Sequence, residues 1–247
     1  MSSPQGSDLL HPKRLVVVFD SSVVLQIIVT GQFRILRCLR SEFGVQSAIV
    51  PAVESEVSVI VENVPKFRGR REQFKKALRN RTLAIVNRDF LFQFVGAASD
   101  SWIRQIDAEG TRLYGFVDRG EAFTHAASIV LNALVATNDT TAVSRLVRMG
   151  ETVPMPTLRF WDLLVFSHQV GWLSEKDCDD IRQFLHKIGE RNHPCFSGHS
   201  FQDGLPHFYA RLTCSEKLGI GAAEAQEKFD ERVVLTRVNP IPHEHPS

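Results

Sequence analysis

Residues 15 to 19 read Leu-Val-Val-Val-Phe, apolar without a break, and the run stops at Asp20. A strand with one wet face alternates polar and apolar side chains. A strand without alternation is buried on both faces, as inside a parallel sheet covered by helices. Further short runs fit that constraint: Ala48 to Val50 closed by Pro51, Leu83 to Val86, Leu134 to Ala136, and Thr152-Val153. Helical patterns separate them, so the chain is predicted to be an α/β protein with layers of helix on a mainly parallel sheet of about five strands.

Asp20-Ser21-Ser22 is an N-cap cluster, and Val23 to Leu39 continues as helix with an interruption near Gly31. From Ala52 a helix carries Val53, Val57 and Ile60 or Val61 on one face, with Glu54 and Glu56 at different angles around it. A helix over about 97 to 109 is expected to stop at Gly110. The central helix opens at Asp118 or Gly120, and two more cover Thr140 to Met149 and Thr157 to Val170. After Gly171 the character changes. Ser174 to Asp177 starts a capped amphipathic helix reaching about Ile188, with Ile181, Leu185 and Ile188 as its buried stripe. Beyond it, one helix near 221 to 230 and a disordered tail are expected. The organisation is thus a domain over 14–170 and a C-terminal helical extension over 171–247.

Hydrophobic residues make up 43% of the 247, enough for a proper core, and the formal net charge is +1. A chain so nearly neutral does not hold nucleic acid by global charge, so any such contact has to be local. The N-terminus lacks a signal-peptide pattern and no run approaches a membrane span, which predicts a cytoplasmic protein with no membrane partner. Cys38, Cys178, Cys195 and Cys214 show no C-x-x-C spacing and are expected to be reduced thiols. His193, Cys195, His199, His207 and Cys214 match no zinc-ligand spacing.

Carboxylates stand where strands end and helices begin. Asp20 closes the first strand, Asp118 and Glu121 open the central helix in D-R-G-E, and Asp139 follows Leu134 to Ala136 in T-N-D. Taken singly, each has a structural explanation: Asp20 and Asp139 as N-caps, Asp118 with Glu121 as a capping box. Their joint appearance at three strand-to-helix junctions points instead to one acidic cluster on one sheet edge. Such a cluster repels itself, and a divalent cation resolves the conflict. Oxygen ligands without His or Cys select Mg²⁺ or Mn²⁺ over Zn²⁺. Thr137 and Ser21 or Ser22 are candidate donors orienting the carboxylates, Asn138 reads as a turn residue, and His125 as packing.

In order and context, these motifs resemble the PIN-domain nucleases, over roughly residues 14 to 170. The matching residues are Asp20 in VVVFDSSVV, Glu56 in VPAVESEV, Glu121 in DRGEA and Asp139 in ATNDTTA, with Asp118 at an extra acidic position before the G-E. The family's order favours Glu56 over Glu54 as the helix acid. The resemblance implies a three-layer α/β/α fold and a metal-dependent endoribonuclease whose catalytic and metal-holding acids are Asp20, Glu56, Glu121 and Asp139, with Asp118 as a further ligand. It also implies an RNA substrate, products ending in 5′-phosphate and 3′-hydroxyl, and the VapC-type toxin as one role, with an antitoxin partner and a homodimer among the expected assemblies. The chain exceeds a minimal toxin by the extension from about residue 172. An inactive PIN-like scaffold binding RNA or protein is the alternative. Residues 66 to 81, KFRGRREQFKKALRNR, hold eight cations against Glu72; Arg68, Arg70 and Arg71, with Arg119, are the candidate phosphate contacts.

Overall fold

A computed structural model of the chain describes residues 15–151, 157–190 and 192–209. The sheet has four strands, β1 (Val16–Phe19), β2 (Gln46–Ile49), β3 (Ala84–Ile85) and β4 (Leu134–Ala136), in the order β3-β2-β1-β4. Every pairing is parallel, with Val18 opposite Ala48 and Val135, and Phe19 opposite Ala136. All four β1 side chains are buried, Val17 to Phe19 completely. Each contributes roughly 1.5–3 kcal/mol from burial. The unbroken apolar run therefore occupies a central strand.

Helices flank the sheet. α1 (Ser21–Thr30) and α2 (Phe33–Phe43) are separated at Gly31, which takes φ 72°, and the chain turns there by 107°. α3 (Pro51–Asn63) follows β2 directly, with Pro51 in its first turn. α4 (Arg71–Arg79) leads to β3, and α5 (Arg88–Val95) is capped by the Asn87 side chain. α6 (Ser99–Leu113) packs along α7 (Arg119–Leu131). After β4 come α8 (Thr140–Arg148), α9 (Phe160–Gln169), α10 (Glu175–Lys187) and α11 (Phe201–Tyr209).

One expectation is corrected. Gly110 does not end its helix. It lies buried inside α6, where a Cβ would come 2.8 Å from the Phe123 ring, so the glycine serves the close approach of α6 to α7. The expected fifth strand at Thr152-Val153, the 221 to 230 helix, the tail and Cys214 lie outside the described residues. What adjoins β4 is Leu158, a single parallel bridge to Ala136 with hydrogen bonds Leu158 N to Val135 O and Thr137 N to Leu158 O, each 2.8 Å. Cys38, Cys178 and Cys195 are free thiols.

The described part of the extension continues the core. Cys178, Ile181, Leu185, Phe196, Phe201, Leu205 and Phe208 are buried together with the sheet's residues. Trp161 of α9 stacks on Phe196 at 4.8 Å, and Phe196 stacks on Phe201 and Phe208. Ser174 and Asp177 form the expected capping box of α10. Among the described residues no single helix is long and apolar enough to cross a membrane.

Candidate active site

Parallel pairing sends β1, β2 and β4 out of the sheet at the same edge, and the register sets the site. Because Phe19 pairs with Ala136, the next residues, Asp20 and Thr137, stand side by side. The Asp20 N–H bonds Ala136 O at 2.8 Å, and the Thr137 hydroxyl donates to Asp20 Oδ2 at 3.3 Å. Ser22 donates to the same oxygen through its hydroxyl at 2.8 Å and its N–H at 3.4 Å. Asp20 Oδ1 has no hydrogen-bond partner, although the residue is only 3% exposed. A buried carboxylate oxygen left unmatched is costly and invites a cation.

α3 and α7 bring the glutamates in. A Cβ on Gly120 would lie 2.7 Å from Glu56 Oε2 and 3.8 Å from Asp20 Oδ1, so both oxygens converge on the bare backbone of that glycine. With both oxygens at these positions only a residue without a side chain fits; a larger one would have to push the Glu56 carboxylate aside. Glu56 takes a hydrogen bond from Ser21, whereas Glu54 points elsewhere and accepts from the Ser58 hydroxyl at 3.4 Å. Glu121, one position after Gly120, reaches Asp139 by hydrogen bond. Asp118 makes no side-chain cap to α7, so the capping-box explanation for the D-R-G-E segment does not hold. Asp20 and Asp139 do cap α1 and α8; Asp139 Oδ1 accepts from Thr141 N at 2.7 Å and Ala142 N at 3.0 Å. Capping occupies one oxygen of Asp139 and leaves its charge in the cluster.

The electrostatics record the crowding. Burial raises the Asp20 carboxyl above its usual range, against hydrogen bonds from Ser22, Ser21 and Thr137. Burial also raises Glu56; the Ser21 bond opposes this, and the charges of Asp20 and Asp118 add to it. Glu121 is pushed up to about 8 by burial, by the charges of Asp20 and Asp139, by its bond to Asp139 and by the charge of Asp118. For Asp139 burial acts upward, but the Ala142 and Thr141 N–H groups and the Glu121 bond outweigh it and hold the group low. Glu121 and Asp139 therefore share a proton, with Glu121 carrying it. Burial lowers His125 to about 4, so this core histidine is neutral and brings no compensating charge.

Among the described residues no three His, Cys, Asp or Glu side chains already converge as a ligand set. Ligation by Glu56 and Glu121 would exchange their bonds to Ser21 and Asp139 for metal–oxygen contacts through side-chain torsions. The donor set, all carboxylate with one buried oxygen unmatched, fits Mg²⁺ or Mn²⁺.

A pH dependence follows. Glu121 ionises near 4.5 when unfolded and near 8 when folded, so the folded state holds the extra proton between those values. Stability present below about 4.5 is lost as pH rises through about 8, by roughly 2 kcal/mol after allowing for solvent screening at a half-buried group. The melting temperature of the metal-free protein should fall across that window. Millimolar Mg²⁺ or Mn²⁺ should restore it, more at the alkaline end because ligands must be deprotonated. A metal-induced shift equal at both ends would contradict this account.

Among the described residues no ion pair or hydrogen bond joins Arg68, Arg70 or Arg71 to the four acids. These arginines follow the C-terminus of α3, and Glu56 lies about 10 Å earlier along that helix. Arg71 pairs with Glu62 at 2.6 Å, and Arg70 donates to Gln73 at 3.3 Å. Arg119 lies over the Phe123 ring, 5.8 Å from its centroid, and lines a separate cavity of about 330 Å³ with Pro51 and Arg88.

Sequence reading underrated Ser22 and Asn138. Ser22 anchors Asp20 and accepts from Asn138 N at 3.1 Å. Asn138 also donates to Ser22 O at 3.2 Å and Gln26 Oε1 at 3.0 Å, and accepts from Phe160 N at 3.1 Å. It clamps the loop bearing Thr137 and Asp139 to α1 and α9. The only sequence signal is a T-N-D triplet at a strand end. Comparison with protein-family profiles, curated proteins and solved structures finds no match.

Proposed function

We propose that the protein is a PIN-like, Mg²⁺- or Mn²⁺-dependent endoribonuclease. The observation that carries this reading is that acids from four separate places in the chain feel one another: Asp20 and Glu56 approach the backbone of Gly120, where Asp20 Oδ1 stands unmatched, and Glu121 bonds Asp139 and lies within the field of Asp20. On this reading Leu158 marks the fifth strand of the PIN arrangement, and the helices form its outer layers. Asp20, Glu56, Glu121 and Asp139, with Asp118 at the rim, would hold the ion. When bound, the ion supplies a water acidic enough to attack phosphorus and charge stabilisation for the leaving 3′-oxygen.

The chain's own groups do the remaining work. Ser22 and Thr137 fix the Asp20 carboxylate by two hydroxyl donors, and Ser21 holds Glu56. The Thr141 and Ala142 N–H groups keep Asp139 ionised at the N-terminus of α8. Glu121, with its high proton affinity, releases a proton when a cation enters the site.

The test is cleavage of a mixed RNA pool by the purified full chain with Mn²⁺, with EDTA, and with Asp139→Asn alongside. Asn caps a helix about as well as Asp, so this variant keeps α8 and removes charge. Cutting that requires both Mn²⁺ and Asp139 is the expected result. RNA left intact with Mn²⁺ present, or cut equally by the variant, would overturn the reading.

A further inference from the structure

Beside the acids runs an open cleft of about 860 Å³, and its walls come from parts of the chain far apart in sequence. Ser22, Gln26 and Asn138 form the end that touches the site. Ser22 holds Asp20, and Asn138 sits between Thr137 and Asp139. Lys66 and Arg159 bring positive charge to the walls, and Glu190, Asn192 and His193 of the C-terminal extension close the far side. We propose that this cleft receives unpaired RNA next to the scissile phosphate, with Lys66 and Arg159 against its backbone and the extension reading its bases or sugars. The inference rests on the ribonuclease reading for the position of the scissile bond.

Three observations support a nucleic-acid occupant. Lys66 is held in a partly exposed pair with Glu190, and pairs of that kind are worth little, so a phosphate can replace the carboxylate at small cost. Arg159 lies 3.8 Å from the buried carboxylate of Asp162 and 3.3 Å from His193 and keeps a quarter of its side chain exposed, so it can meet a phosphate without leaving Asp162. The lining also includes a buried donor and a buried acceptor without hydrogen-bond partners among the described residues, Trp161 Nε1 and Asn192 Oδ1. Unmatched groups of opposite sense suit base edges or a 2′-hydroxyl. Finally, the volume is that of a small-ligand pocket, enough for unpaired nucleotides and far too small for a duplex, which proteins read across many base pairs on an open surface.

The extension then has a role that the acidic site does not need for its chemistry. Trp161 is fixed by its stack on Phe196, so the docking of the extension and the shape of the cleft are set together.

The experiment uses the full chain in an Asp20→Asn background, which prevents cutting, and a fluorescein-labelled single-stranded oligoribonucleotide of mixed sequence, alone or annealed to its complement. Binding is followed by anisotropy across a salt series. The single strand should bind at least about tenfold more tightly than the duplex, the worth of one charged hydrogen bond. Lys66→Gln should make the slope of log affinity against log salt shallower by about 0.7. Asn192→Ala should weaken binding about fivefold, the worth of one neutral hydrogen bond. Equal binding of duplex and single strand, or wild-type affinity and slope in both variants, would overturn the proposal. If the active chain cuts RNA while Lys66→Gln and Asn192→Ala bind as wild type, the cleft assignment falls and the ribonuclease reading stands. If binding responds to both variants but the active chain cuts nothing, the reverse holds.

Discussion

If the protein is the proposed ribonuclease, Asp20→Asn is expected to lower metal-dependent cleavage by about 10²–10³ or more, the loss that follows removal of one preorganised charge from a reacting centre. The same change should stabilise the metal-free protein by on the order of 1 kcal/mol. The two effects share one cause. Asp20 is buried and its carboxyl is raised by burial, so the ionised form strains the fold, and on the proposed reading a cation would relieve that strain. Asn keeps an acceptor for Ser22 and Thr137 and turns an amide donor toward the space where Oδ1 stands unmatched near Glu56. Thermal melts with and without Mn²⁺ read both consequences: a higher midpoint without metal, and loss of the metal-induced rise. A variant that melts no higher than wild type without metal would mean that the buried charge of Asp20 does not strain the fold.

Gly120→Ala is the second large effect. The new methyl would fall 2.7 Å from Glu56 Oε2 and 3.5 Å from Val53 Cγ2. The glutamate is the free end of a flexible side chain, so it moves and the backbone stays. In the proposed ribonuclease, displacing one acid by an ångström or more would cost about 10²-fold in rate. Alanine favours a helix over glycine by about 1 kcal/mol, so stability should hold or rise slightly. Activity lost with an unchanged melting temperature is the expected pair of results. Unchanged activity would show that Glu56 need not approach Gly120 for catalysis.

Residues whose roles follow from their immediate neighbours were readable in the chain. An apolar run that ends in an acid, a D-R-G-E opening a helix and a T-N-D after a short strand are local statements. Asp20 and Asp139 do follow β1 and β4, whereas the D-R-G-E segment joins α6 to α7 and not a strand to a helix, so only tertiary packing brings Glu121 to Asp139. Glu54 and Glu56 were harder to separate. They lie about 200° apart on α3, on opposite flanks of the stripe made by Val53, Val57 and Val61, so periodicity favours neither. Packing of α3 against α7 breaks the tie and gives Glu56 to the site. Gly110 misled for a related reason. Glycine ends helices and also permits close helix contact, and only the Phe123 ring beneath it distinguishes the two.

The sequence by itself determined the α/β class, the central strand, the acids at the strand ends and the capped helix that opens the extension, because each depends on burial and backbone preferences acting over a few residues. The tertiary structure alone decided that Arg71 pairs with Glu62, that Asn138 ties three elements together, and that Lys66 meets Glu190 across 124 residues of chain. Contacts of that span depend on how whole elements dock. Docking is set by the summed fit of side chains that no local pattern contains.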